Sequence, residues 1–261
     1  MIPGLPSIVE AIRLTASILM LLYASVRDIK TREVSDLVWL LGGSIGFALD
    51  LYAVFLGVYR PLGLLASIGI STLLAYVIAY LGLFGGADFK ALTALSLLLP
   101  HPPGFSPLLG VVSPLYPLTI FSNSVLAGAS LSILILLRNL LKALRGVSLF
   151  EGLSDPWWRK LLVLLSGFRK PLSSVRGPPF EYSLEILEDG CRRLVLMPSL
   201  ESDEEAIRVL RELRDVGVSE IWVSSTLPFL LLIAIGLFFS LILGDIPLWL
   251  IFKLLGAGKM G

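Results

Sequence analysis

The sequence predicts a polytopic α-helical membrane protein, with six transmembrane helices and a small cytoplasmic α+β domain between helices five and six. Three observations predict it. Of the 261 residues, 56% are hydrophobic and the mean hydropathy is +0.87, more apolar surface than a soluble domain hides in its own core. The apolar residues also come in blocks of about 20, the length that crosses a hydrocarbon core of about 30 Å. One stretch, 138–225, breaks the pattern with dense charge and only short apolar runs. The expected organisation is a membrane domain over 1–137, a cytoplasmic domain over 138–226, and a sixth helix with a tail over 227–261.

Span one covers about 8–26. It lacks the basic start of a cleavable signal peptide, and Glu10 and Arg13 interrupt its early apolar run, so it reads as a retained helix. Glu10 and Arg13 stand three apart on one helical face and are expected to pair. Arg27, Lys30 and Arg32 mark the end of the span. Span two covers 37–55, with Ser35 or Asp36 placed to cap it. The loop 57–61 turns the chain into span three, 62–83, which stops at Gly85-Gly86. The fourth apolar run, 91–99, reaches only about 14 Å, half a bilayer. It either begins below the membrane surface or does not fully cross. The stretch 100–117, rich in Pro, Gly and Ser, is expected to fold against the outer ends of the helices. Span five covers 118–137.

In the polar stretch, Ser154-Asp155-Pro156 has the form of a helix start, a cap followed by proline at the first position. The helix it opens, 157–165, carries Trp157, Trp158, Arg159, Lys160 and then leucines. That composition suits either the membrane interface or the domain core. Residues 182–187 alternate as a strand, Glu188-Asp189-Gly190 signals a hairpin turn, and 192–197 reads as the return strand. An amphipathic helix over 202–216 and a short strand over 220–224 follow. Span six, 228–252, closes the pattern.

Charge and rare residues narrow the function. A net charge of +1 argues for no nucleic-acid partner. Cys191 is the single cysteine and His101 the single histidine, so a metal site of several His or Cys ligands is excluded by count. His101 sits in His101-Pro102-Pro103-Gly104, a turn-rich loop, and is expected to be solvated. No cofactor is called for. Of the 21 Lys and Arg, all but Arg13, Arg60, Lys253 and Lys259 fall on the side of the bilayer that holds Asp28. The positive-inside rule then puts the N-terminus outside, and Asp28, Asp88 and the polar domain in the cytoplasm.

Two costly side chains remain. Asp28 and Asp88 each stand at the edge of a long apolar segment, where an ionisable group is a functional-site candidate. Together they suggest a carboxylate pair that shares a proton and activates water. A proton relay in an ion-coupled transporter and a structural charge cluster are the alternatives; the transporter would show internal repeats, and none is evident. Asp36 is eight residues from Asp28, about 12 Å if both lay on one helix, too far to share a proton. Asp50 is expected to be solvated or interfacial, and Asp245 to be a helix-end residue. Gly85 and Gly86 allow close backbone approach and non-helical angles before Asp88, which suits a wet cavity. A helix starting at Asp88 would favour its ionised form. Lys30, Arg32 and Lys90 are expected to anchor helix ends.

At these residues a resemblance appears. Asp28-Ile29-Lys30-Thr31-Arg32-Glu33-Val34-Ser35-Asp36 and Gly85-Gly86-Ala87-Asp88 resemble the two signatures of the type IV prepilin peptidase family, and most closely those of its archaeal preflagellin peptidase branch. The family's GxGD pattern keeps its first glycine and final aspartate here. Glu220-Ile221-Trp222-Val223 and Leu243-Gly244-Asp245 fit as well. The resemblance implies an aspartic endopeptidase with Asp28 and Asp88 as catalytic residues, no covalent intermediate and no metal. It implies substrates with a short basic leader ahead of a hydrophobic helix, archaellins and pilin-like proteins, cut at the cytoplasmic face. Glu33 or Asp36 would attract that leader. Bacterial relatives carry a methyltransferase region with paired CxxC motifs; with one cysteine, peptidase activity alone is implied. Membrane lipid is the other expected partner.

Overall fold

A computed structural model describes residues 5–82, 85–196 and 202–256. Among the described residues, four helices are long and apolar enough to cross a membrane: α1 (Leu5–Thr31), α2 (Asp36–Phe55), α3 (Pro61–Tyr80) and α5 (Tyr116–Leu144). The short α4 (Gly86–Leu98) lies between α3 and α5. The polar stretch forms α6 (Trp157–Ser166), β1 (Phe168–Pro171), β2 (Glu181–Ser183), β3 (Glu185–Glu188), β4 (Cys191–Leu194), α7 (Asp203–Asp215) and β5 (Glu220–Ser225). Two helices follow, α8 (Phe229–Ile242) and α9 (Ile246–Leu254). The chain divides into two compact units, 1–128 with 228–261, and 129–227.

In the first unit α4 is central. Ala91, Leu92, Ala94, Leu95, Ser96 and Leu98 are buried, and α4 packs on α2, α3, α1 and α8. At 13 residues it is about 20 Å long, two-thirds of a hydrocarbon core. Glycines let its neighbours come close: a Cβ at Gly46 of α2 would stand 2.5 Å from the carbonyl carbon of Leu97. Van der Waals packing through small residues is what joins helices in lipid, where no hydrophobic force acts between them. Met20, Leu21 and Ala24 of α1 join Leu95 and Leu98 of α4 and Leu230, Ile233 and Leu237 of α8 in one core.

Three expectations change here. Arg13 does not pair with Glu10. Its Nη2 lies 2.7 Å from Asp50 Oδ1, with the two side chains 3% and 2% exposed, and its Nη1 donates to the carbonyls of Leu97 (3.2 Å) and Leu98 (3.0 Å) at the end of α4. Asp50 is therefore buried rather than solvated. A buried cation needs a full counter-charge and further acceptors; α2 supplies the first in Asp50 and α4 the second in its last carbonyls. Glu10 instead accepts the Gly104 N–H. The single span expected over 228–252 is a bent pair, α8 and α9, meeting at 59°. Gly244 has φ +96° at the break. Asp245 is the helix-end residue expected: its Oδ1 accepts the Leu248 N–H (2.9 Å) and its Oδ2 the Thr119 hydroxyl (2.9 Å). Asn123 bridges the break, donating to the Gly244 carbonyl (2.8 Å) and accepting the Ile246 N–H (3.1 Å). Broken backbone at membrane depth persists where such partners surround it. His101, in its loop, is half-buried with its ring edge-on to Tyr59, centroids 4.7 Å apart.

In the second unit β1, β5 and β2 form an antiparallel sheet in the order β1-β5-β2, and β3 pairs with β4. The expected strand 182–187 is two strands in two sheets, parted at Leu184, whose N–H bonds the Trp222 carbonyl (2.8 Å). Asp189 and Gly190 both have positive φ, 51° and 75°, as the hairpin signal required. The return strand ends at Leu194, and Met197 lies outside the described residues. Strand β1 escaped sequence reasoning because it is four residues ending in proline at a sheet edge. Asp155 does not cap α6. Its Oδ2 accepts the Leu194 N–H (2.9 Å), and its Oδ1 is 3.3 Å from Arg159. The fully buried Glu185 accepts the Trp222 N–H (2.7 Å) and holds Arg192 at 2.6 Å.

Candidate active site

The site grows from the end of α1. Asp28 lies in its last turn, and the helix stops at Thr31. Arg32 then adopts a left-handed conformation, φ 57°, which costs a side-chain-bearing residue energy and marks a special position. Its N–H donates to the Asp28 carbonyl at 3.0 Å. Its side chain folds back, placing Nη1 3.5 Å from Asp28 Oδ2, with both side chains about five-sixths covered (16% and 14% exposed). Arg32 therefore faces the carboxylate; the expected helix-end anchor is an ion-pair partner. The i, i+4 spacing with the acid first is the signal that could have found it.

Asp88 is the third residue of α4. Its Oδ2 accepts the Gly85 N–H at 3.1 Å, so the carboxylate caps its own helix, where backbone donors and the helix dipole favour negative charge. The helix begins at Gly86, earlier than Asp88. Gly85 is extended, φ −73° and ψ 159°, and the left-handed glycine of this turn is Gly82, φ 71°. The close approach expected at these glycines is not seen: a Cβ at Gly85 would stand 3.4 Å from Asp88 Oδ2, an ordinary contact, and one at Gly86 would meet nothing within 4 Å.

The two motifs are tied together by a third contact. Lys90 Nζ lies 2.6 Å from Asp36 Oδ1, linking the start of α4 to the start of α2. Four residues, 32–35, separate α1 from α2, so the end of α1 and the starts of α2 and α4 gather at one end of the unit. There Asp28, paired with Arg32, and Asp88 stand in the last turn of α1 and the first turn of α4. Lys90 and Asp36 hold each other, leaving Lys30 and Glu33 exposed at the rim. The chain breaks between Thr31 and Asp36, so a single-helix distance does not apply to Asp28 and Asp36; the Lys90 contact is what occupies Asp36. Ser35 caps α2, accepting the Leu37 N–H at 3.4 Å. No group of three or more His, Cys, Asp or Glu suited to a metal ion occurs among the described residues.

Two carboxylates within range of each other's charge can retain one proton between them, giving an acid and a base side by side. Comparison with known proteins identifies the setting. Residues 15–133 match the type IV leader peptidase family, and residues 159–246 match the type II C-terminal domain of the archaeal A24 peptidases. The chain thus carries a type IV leader peptidase domain followed by an archaeal A24 peptidase C-terminal domain; it is a multi-pass membrane protein and a peptidase, and the first match carries both aspartates. Among individual relatives, it is similar to the preflagellin peptidase of Methanococcus voltae, 28% identical over 235 residues, 86% of this chain and 92% of the relative. It is 25% identical over 233 residues to the preflagellin peptidase of Methanocaldococcus jannaschii, covering 86% and 91% of the two chains. That of Methanococcus maripaludis is 30% identical over 139 residues, 48% of this chain and 57% of the relative. The transporter alternative receives no support from these matches.

Proposed function

We propose that the chain is an aspartic endopeptidase that removes the short basic leader from preflagellin or prepilin-like precursors, with Asp28 and Asp88 as its catalytic pair. The observation that carries this is the placing of Asp28 in the last turn of α1 and Asp88 in the first turn of α4 at one end of the first unit, with Arg32 on Asp28, inside the stretch that matches a leader peptidase family. The ionised aspartate takes a proton from water as the oxygen attacks the scissile carbonyl carbon. The protonated one gives its proton to the carbonyl oxygen. Collapse of the tetrahedral intermediate breaks the C–N bond, and the proton held by the base passes to the leaving amine. The products are a free leader carboxylate and a new N-terminus, and neither a metal nor a cofactor takes part.

Six crossings suit this function. Arg13 and Asp28 are 15 residues apart on α1, about 22 Å. The end of α4 bonds Arg13, while its start lies with Asp28, so α4 runs nearly the whole depth of that stretch. The loop that follows completes the crossing. The N-terminus then lies outside, and the dyad and the domain over 138–226 are cytoplasmic, between a membrane domain over 1–137 and a closing segment over 227–261. Seventeen of the 21 basic residues agree with this orientation. The basic leader, kept in the cytoplasm, meets the dyad there, and lipid surrounds the rest.

The test uses a co-expressed precursor. Asp28→Asn and Asp88→Asn are each expected to abolish cleavage while the protein still inserts into the membrane. Normal cleavage by either variant rules out the dyad.

A further inference from the structure

We infer that α6 is an interfacial anchor whose face of Trp157, Trp158, Leu161 and Leu162 lies in the headgroup–acyl boundary of the bilayer that α5 crosses. Positions 157, 158, 161 and 162 fall on one side of a helix. Their side chains are 75%, 43%, 42% and 43% exposed. Val163, on the other side, is fully buried with Leu149, Leu153, Leu184, Leu194 and Trp222. The unit thus has a complete core that leaves two tryptophans and two leucines of one helix uncovered.

Helix α5 says what covers them. Its 29 residues run about 43 Å, longer than the hydrocarbon core. Its apolar run ends at Leu137, and Arg138 is the first charge. The next side chain, Asn139, is buried, and its Nδ2 donates to the carbonyls of Leu164 (2.9 Å) and Gly167 (2.7 Å) at the end of α6. Helix α6 is therefore bonded to α5 at the level where α5 leaves the hydrocarbon. Leu137, Leu140 and Leu141 of α5 are exposed at this same level. Tryptophan favours that depth, and cationic side chains beside an apolar helical face reach the headgroups. Arg159, paired inward with Asp155 at 3.3 Å, stacks its guanidinium 5.3 Å above the Trp158 ring and so fixes one tryptophan of the face. A protein partner would have to compete with lipid already at this level. The anchor requires nothing of the dyad's chemistry and stands or falls apart from it.

The test uses the full chain carrying Cys191→Ser, reconstituted into phosphatidylcholine–phosphatidylglycerol vesicles. Nitroxide labels are placed singly by Leu161→Cys and Leu162→Cys, with Leu141→Cys on α5 as the lipid reference and Glu204→Cys on α7 as the aqueous one. All four side chains are exposed, so the core is untouched. Labels at 161 and 162 should collide more with oxygen than with a water-soluble nickel chelate, as at 141, and the label at 204 should do the reverse. Labels at 161 and 162 that match 204 would overturn the anchor, as would labels shielded from both reagents, which would put protein on the face. The double variant Trp157→Phe/Trp158→Phe should also lose the part of the quenching by brominated acyl chains that Trp39 and Trp249 of the membrane helices do not supply, and unchanged quenching would count against the proposal.

Discussion

Arg32 shows how much one residue's backbone can decide. Its left-handed φ turns the side chain back over Asp28 rather than out toward headgroups. Glycine takes that φ without strain. Arg32→Gly relieves the backbone but removes the ion pair with Asp28, so stability should change by no more than about 1 kcal/mol, while cleavage falls, and Arg32→Lys should restore part of the activity. Thermal unfolding and precursor cleavage measured on the same membranes check this; activity and stability falling together would make Arg32 merely structural. Asp50 gives the opposite case. Asp50→Ala leaves the Arg13 charge buried without its counter-ion, which should cost about 3–5 kcal/mol and show as a lowered unfolding temperature in detergent. The Arg13 contact is not visible from sequence spacing, since its partners lie 37 and 85 positions away, whereas Asp28 and Arg32 stand at the i, i+4 spacing of a helical ion pair.

At the scale of the element, α4 couples the two ends of the first unit. One end bears Asp88, and the other is bonded by Arg13 and pressed on Gly46. Gly46→Leu should push α4 off α2 at a cost of about 1–3 kcal/mol and reduce cleavage, although Gly46 lies far from the dyad. Gly63→Ala on α3, where an added Cβ meets open space, is the control and should leave both unchanged. The same element explains why a short apolar run could not be assigned from its length. The run 91–99 reads as half a span, but its helix is extended at the start by Gly86, Ala87, Asp88, Phe89 and Lys90, a polar turn that hydropathy discounts. Helix α6 was similarly open between interface and core. Periodicity put its leucines and tryptophans together, but only the core around Val163 showed which side was already covered.

At the scale of the molecule, the units respond to different conditions. In the second unit burial works against the charge of Glu181, yet the Lys170 ammonium at 2.9 Å and the Arg176 N–H outweigh it and hold the carboxyl below its ordinary range. A depressed folded value stabilises the unit above the unfolded carboxyl range of about 4.3. That stability is lost as pH falls through the folded value. Amide protection factors across β2 and β5, taken against the acid-slowed intrinsic exchange rate, should therefore fall on acidification below about pH 4.5, and Lys170→Met should flatten that dependence. What the sequence by itself determined was the class of the chain: apolar blocks set by bilayer thickness, a polar insert, and two aspartates too costly to keep without use. These are properties of composition and local spacing, and they survive in a linear reading. The tertiary structure decided which charges meet: Arg13 with Asp50, Lys90 with Asp36, Arg32 folded onto Asp28, and span six bent at Gly244. The reason is physical. An ion pair in a low-dielectric interior is chosen by desolvation and by the geometry of packed helices, and neither quantity is written along the chain.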